Sequence, residues 1–259
     1  MNQQFKKSYS PLIDYCLHLA DNALVLGHRN SEWCGHGPVL EQDIALTNIA
    51  LDLIGQARNF YQYAAERINN ENAGNGSTIT EDTLAYLREA DEFRNVLLVE
   101  IPNGDWGHTI LRQFFFSTYQ YFLYAQLQEG TDEQIAAIAV KSLKEVTYHL
   151  RWSSEWVIRL GDGTAESHRR MKNALTELWP YTQEFFTDSA FEKGMKLELK
   201  SIAAEWMNKT SQVFQLAKLD VPALGMQHSG GKFGVHSEEL FKLLSEMQIL
   251  QRTYPGAEW

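Results

Sequence analysis

Proline and glycine frame this sequence because they are scarce and tend to cluster. Only 6 prolines and 17 glycines occur in 259 residues, so the segments between them are long enough for helices of several turns. Helices are expected over Pro11 to Leu26, before Gly27, and from after Gly37-Pro38 to Ile68. A third starts from a Thr78 or Thr80 cap and ends before Pro102-Asn103-Gly104. A fourth spans Trp106 to Gln128, and a fifth runs from a Thr131 cap to Gly161. A sixth leads from the turn at Gly161 to Thr164 towards Phe186, a seventh covers Leu197 to Lys218, and a last one Ser237 to Tyr254. Asn69 to Ser77 and Gly225 to Gly234 are the glycine-bearing loops. No segment sustains the strict apolar–polar alternation of a strand, and no internal repeat is evident. Helices joined by short turns pack antiparallel, so the expected fold is all-α: one helical-bundle domain over residues 1–259, with additional C-terminal helices.

Composition narrows the partners. Hydrophobic residues make up 44% of the chain and aromatics 12%, enough for a globular core. The net charge of -10 argues against nucleic acid and anionic membranes as partners. A CoA thioester would be repelled too, unless a local basic patch or a partner subunit received it. Cys16 and Cys34 make neither a disulfide framework nor a metal knuckle. Met1 to Ser10 lacks an apolar signal core, and no apolar run approaches the roughly 20 residues that span a bilayer, so a cytoplasmic protein is expected.

Two helices carry the residues of chemical interest. At about 100° per residue, Glu41, Asn48, Asp52, Gln56, Asn59 and Glu66 share one stripe of the helix after Pro38. That stripe is either a solvated face or a polar seam inside the bundle. In the helix before Gly161, Glu145 and His149 stand one turn apart, a spacing that can bind one metal or simply seat a hydrogen-bonded core histidine. A di-iron carboxylate bundle needs more: two Glu-x-x-His pairs and further carboxylates from facing helices. Three residues before the eight histidines stand Tyr15, Val25, Trp33, Asp105, Val146, Ala165, Gly225 and Phe233, so there is no Glu-x-x-His. The helix from Trp106 to Gln128 has no Asp or Glu at all. Dioxygen chemistry by this chain alone is not expected, and no catalytic or metal-ligating residue is assigned. Lys232 in the second glycine-rich loop offers a phosphate contact, though such loops more often connect helices or touch partners. Trp33, Trp152, Trp156 and Trp179 exceed what a solvated surface carries; any exposed subset would anchor an interface.

Several stretches resemble one family. EWCGHGPVLEQD (Glu32 to Asp43), LDLIGQARNF (Leu51 to Phe60), LLVEIPNGDW (Leu97 to Trp106), KEVTYHLRWSSEWVIRLGDGT (Lys144 to Thr164) and GGKFGVHSEEL (Gly230 to Leu240) look like the C subunit of phenylacetyl-CoA ring epoxidases of aerobic phenylacetate degradation. The tail QRTYPGAEW also fits, so the resemblance runs from about residue 10 to the end. It implies a ferritin-like helical fold and a heteromeric complex. A homologous catalytic A subunit would hold the di-iron site and epoxidise the aromatic ring. A small B subunit and a flavin/iron–sulfur reductase would complete the system, and self-association within the complex stays open. The C subunit in that family is structural or regulatory, with no cofactor of its own.

Three readings follow. The first is a scaffold subunit that buries a large surface of its catalytic partner. The second is a metal-dependent oxygenase with an unconventional site around Glu41, Asp52, Glu145 and His149. The third is a helical module that binds an acyl-CoA without turning it over.

Overall fold

A computed structural model describes residues 9–72, 78–195, 197–223, 225–255 and 257. The first eight residues, residues 73–77 of the expected polar loop, and residues 256, 258 and 259 of the tail lie outside the described residues. The structure is 75% helical, and no strand occurs among the described residues. This all-α architecture is consistent with a ferritin-like bundle.

Helix α1 (Pro11–Ser31) turns back onto α2 (Leu40–Glu71), which packs along its length. The pairing is antiparallel: Ser10 meets Glu71, and Asp21 meets Tyr61. Gly27 does not end α1 as its position suggests. It lies where α1 crosses α2, and a Cβ there would stand 3.1 Å from Ile54 Cγ1, so the glycine serves close approach.

The expected third helix is broken. Thr80 caps α3, but α3 (Glu81–Tyr86) stops after six residues. A single 3-10 turn (Ala90–Glu92) and a short α4 (Leu97–Glu100) follow. Side chains from α1 take over the backbone donors of the intervening segment: Arg94 N–H donates to Asp21 Oδ2 at 2.7 Å, and Val96 N–H to Asn22 Oδ1 at 2.9 Å. With its amides claimed from outside, the segment cannot close i→i−4 bonds. Asp21 is fully buried and is paired with the buried Arg88.

Helices α5 (Trp106–Leu127) and α6 (Glu133–Gly161) make the second long pair. Asp105 caps α5 through His108 N–H at 3.0 Å, and Asp132, one residue beyond the expected Thr131, caps α6. Next come α7 (Ala165–Leu178) and a 3-10 run (Trp179–Phe186), where Pro180 interrupts the α-helical pattern. A short α8 (Ala190–Lys193), unanticipated in the sequence, leads to α9 (Leu199–Ala217), which lies against α5 and α6. The last expected helix is split into α10 (Glu238–Met247) and α11 (Ile249–Thr253). Gln248 sits at the break, buried, with its amide donating to the carbonyls of Ala85 and Arg88.

Aromatic rings fill the space between α5, α9 and the 3-10 run. Phe115 contacts Trp179, Trp206 and Phe214 with ring centroids 5.6–6.1 Å apart. Each such fully buried ring contributes roughly 1.5–3 kcal/mol of transfer free energy.

Candidate functional site

The faces of α2, α5 and α6 that meet inside the bundle are apolar except for one polar seam. α6 runs antiparallel to α2, so contacts pair from opposite ends. Tyr63 OH donates to Asp132, Gln56 meets Glu145, Asp52 meets His149, and Gln42 meets Trp152 and Trp156.

Gln56 is the hub of the seam. Its Nε2 donates to Glu145 Oε2 at 2.9 Å, and its Oε1 faces Gln120 Nε2 at 3.2 Å and Tyr124 OH at 3.3 Å. Burial pushes the Tyr124 hydroxyl well up, so the phenol stays protonated and acts as a donor. One turn away, Asp52 Oδ2 accepts from His149 Nε2 at 2.9 Å. The imidazole is fully buried, whereas the Asp52 side chain is 37% exposed. His149 Nδ1, Gln120 Oε1 and Ser142 Oγ have no hydrogen-bond partner among the described residues. A second polar string crosses from α1 to α5: Asn30 Nδ2 donates to Gln113 Oε1 at 2.7 Å, and Gln113 Nε2 to Ser117 Oγ at 2.8 Å.

The stripe expected on α2 is therefore only partly internal. Asp52 and Gln56 join Glu145 and His149. Glu41, Asn48 and Glu66 are exposed, and Asn59 is half-buried. In the first turns of α2 the contact with α6 falls to Gln42, whose Oε1 takes both indole N–H groups at 2.9 and 2.8 Å; its neighbour Glu41 is thereby turned to water. Sequence reasoning missed Asn30, Gln113, Gln120 and Tyr124. Amides and a phenol within a strongly apolar helix look like isolated polar exceptions, and only their meeting across helices makes them a network.

The donor set decides what the seam and the adjoining string can hold. Gln56, Gln120, Gln113 and Asn30 are neutral amides, Tyr124 is a neutral phenol, and the ionisable groups beside them are Asp52, Glu145 and His149. Among the described residues no group of three or more His, Cys, Asp or Glu side chains is placed to hold a metal ion. Amide oxygens are weak ligands for iron, and they cannot neutralise its charge as bridging carboxylates do. The residues present do not fit a di-iron centre.

The other motifs have structural roles. Lys232 does not reach outward to a phosphate. Its ammonium is buried, 2.7 Å from Glu192 Oε1 and 3.0 Å from the carbonyls of Phe185 and Thr187. Glu184 accepts the N–H groups of Leu97 (2.6 Å) and Gly230 (2.8 Å), which ties the glycine-rich loop to α4. A Cβ on Gly231 would collide with the Asn95 carbonyl. Trp152 and Trp179 are buried, and Trp33 and Trp156 are half-buried beside Trp106, so these tryptophans serve the core rather than a surface.

The profile of the phenylacetic acid catabolic proteins matches residues 1–259. The chain belongs to this family. One relative, the C subunit of 1,2-phenylacetyl-CoA epoxidase from Escherichia coli (strain K12), is 46% identical over 253 residues, covering 96% of this chain and 99% of that one. In the present family member α2 meets α5 through the amides of Gln56 and Gln120, and meets α6 through Gln56–Glu145 and Asp52–His149. No helix among the described residues is long and apolar enough to cross a membrane.

Proposed function

We propose that this chain is the non-catalytic structural component of a phenylacetyl-CoA epoxidase complex of aerobic phenylacetate catabolism, working in the cytoplasm through contact with a di-iron catalytic A subunit and a small B subunit. The observation that carries this reading is the amide-filled seam. Gln56, Gln113, Gln120 and Asn30 hydrogen-bond the interior helices to one another and leave too few anionic donors for oxygen-activating metal. The polar groups hold helices in register; they do not present a reactive centre. The similarity to an epoxidase C subunit over nearly the whole of both chains supports the same reading. So does the surface of α2, where Leu40, Ile44 and Leu51 are 52–72% exposed along one side of the helix. Such a row is unusual on a helix that faces only water.

The test is reconstitution. The catalytic subunit is assayed for solubility, iron content and epoxidation with and without this chain, and then with Glu145→Ala and His149→Ala variants. Alone, the catalytic subunit should fail or aggregate, and each variant should lose activity only as far as it loses assembly. A variant that assembles normally yet loses about a hundredfold in turnover would overturn the reading.

A further inference from the structure

On the outer side of the bundle, α5, α6 and α9 enclose an open groove of about 480 Å³. Its lining is largely apolar, with Leu150 and Ile158 from α6 and Leu216 from α9, and Leu216 is 61% exposed. Arg151 on α6 and Lys209 on α9 both line it, with Glu155 the one carboxylate in the lining.

The charge of this groove is out of keeping with the chain. The protein carries a net charge of -10, yet Arg151, Lys209 and the neighbouring Lys144 make no ion pair among the described residues. Several exposed cations elsewhere are paired, Arg169 and Arg170 with Glu166, Lys218 with Asp162 and Lys242 with Glu239, whereas others such as Lys141 and Lys172 are not paired among the described residues. What sets the groove apart is two unpaired cations beside a single carboxylate on an apolar lining. Arg151 has only the Tyr148 ring, 5.8 Å from its guanidinium carbon.

Shape separates two kinds of anionic occupant. Both walls are helix interiors, whose backbone N–H groups are spent on their own helices, so a phosphate would find no amide nest here. The groove instead follows α6 from Thr147 to Ile158, about 16 Å at 1.5 Å per residue, or three helical turns. That is the reach of a helix laid in by its i, i+4 and i+7 side chains. We propose that this groove seats an acidic amphipathic helix of another subunit, with its apolar side against Leu150, Ile158 and Leu216 and its carboxylates beside Arg151 and Lys209. This inference rests on the reading of the chain as one subunit of a complex, and it assigns a docking face to it.

The experiment places a reporter in the groove. Leu216→Cys and, separately, Gln212→Cys are made in a Cys34→Ser background; the remaining Cys16 is buried and silent. Maleimide labelling rates are compared between the isolated chain and the complex reconstituted with the catalytic and small subunits. Both positions should label at least tenfold more slowly in the complex. Adding Arg151→Glu and Lys209→Glu together should restore fast labelling while leaving the thermal melt of the isolated chain unchanged. A complex that forms while both cysteines label at the isolated rate overturns the groove assignment and leaves the subunit reading standing. Protection that survives the double charge reversal overturns the acidic occupant. So does protection of the isolated chain by rising chain concentration, or by CoA alone. Failure of the wild-type chains to associate at all sinks the subunit reading, and this proposal with it.

Discussion

Asp52 reaches from the edge of α2 to the fully buried ring of His149 on α6, its carboxylate 2.9 Å from Nε2. The pair is thus half in water. A fully buried ion pair that loses one partner costs about 3–5 kcal/mol. Here the 37% exposure of the Asp52 side chain lets solvent screen the charge and hydrate its remaining oxygen. Asp52→Ala should therefore cost only about 1–2 kcal/mol, mostly the unmet donor of His149, with Asp52→Asn recovering part of it. Urea denaturation of the isolated chain measures this. A loss above about 3 kcal/mol would show that the pair is dry, and one below about 0.3 kcal/mol that it holds nothing.

That partial exposure also shows where sequence periodicity stops. The 100° rule places Asp52 and Gln56 on one side of α2 with Glu41 and Asn48, which is sound geometry for one helix. Which part of the stripe lies inside depends on where α6 crosses, and Gln42 decides that by accepting two indole N–H groups. Long elements such as α5 and α6 were legible because their breakers and caps are local. The break of the third expected helix was not, since the side chains that claim its amides, Asp21 and Asn22, come from α1, far earlier in the chain. The same holds for Gln248, which splits the last helix by bonding the carbonyls of Ala85 and Arg88.

His18 makes stability pH-dependent. Its ring is buried on α1, with Nδ1–H donating to the Arg94 carbonyl at 2.7 Å and Phe191 packed at 5.2 Å between centroids. Burial, reinforced by the Lys232 ammonium, lowers its pKa from 6.5 to about 4. Between those values the unfolded chain binds a proton that the folded chain refuses, so stability falls as pH drops through this window. From pH 7 to pH 5 the loss from this group should be about 2 kcal/mol. Chemical denaturation across that range, on wild type and His18→Gln, isolates it: the variant's profile should be flatter by that amount. Parallel profiles would show that His18 is not the group responsible.

The Lys232–Glu192 pair is a different case, because both side chains are at most 2% exposed. Lys232→Met removes the ammonium and strands a buried carboxylate, and should cost about 3–5 kcal/mol. Lys232→Met combined with Glu192→Gln should recover a substantial part, since the stranded charge is gone. The loss should appear first at the C-terminal segment. Hydrogen exchange at the backbone amides of positions 230 and 232, which Glu184 holds, should accelerate before that of α5. Uniform acceleration across the bundle would mean that the pair supports the whole core rather than this strap.

The amide seam makes the last prediction, on metal. The purified chain should hold no stoichiometric iron, because Gln56 and Gln120 stand where further anionic ligands would be needed beside Glu145. A gain-of-charge variant tests the physics. In Gln56→Glu the donor that meets Glu145 Oε2 at 2.9 Å becomes a second carboxylate. Two facing acids in a half-buried seam repel, so the variant should lose on the order of 2 kcal/mol at neutral pH. The folded variant then binds a shared proton more readily than the unfolded chain does, so part of the loss should return as pH falls. A divalent metal would also relieve the repulsion, and it would draw the introduced carboxylate and Glu145 together with the nearby Asp52–His149 pair. Thermal melts of the variant with and without ferrous iron or zinc separate these outcomes. Stabilisation by metal in Gln56→Glu but not in wild type would locate the deficiency in the amide. Tight stoichiometric iron in the wild-type chain would show instead that the seam binds metal despite its amides, and the non-catalytic reading would lose its main support.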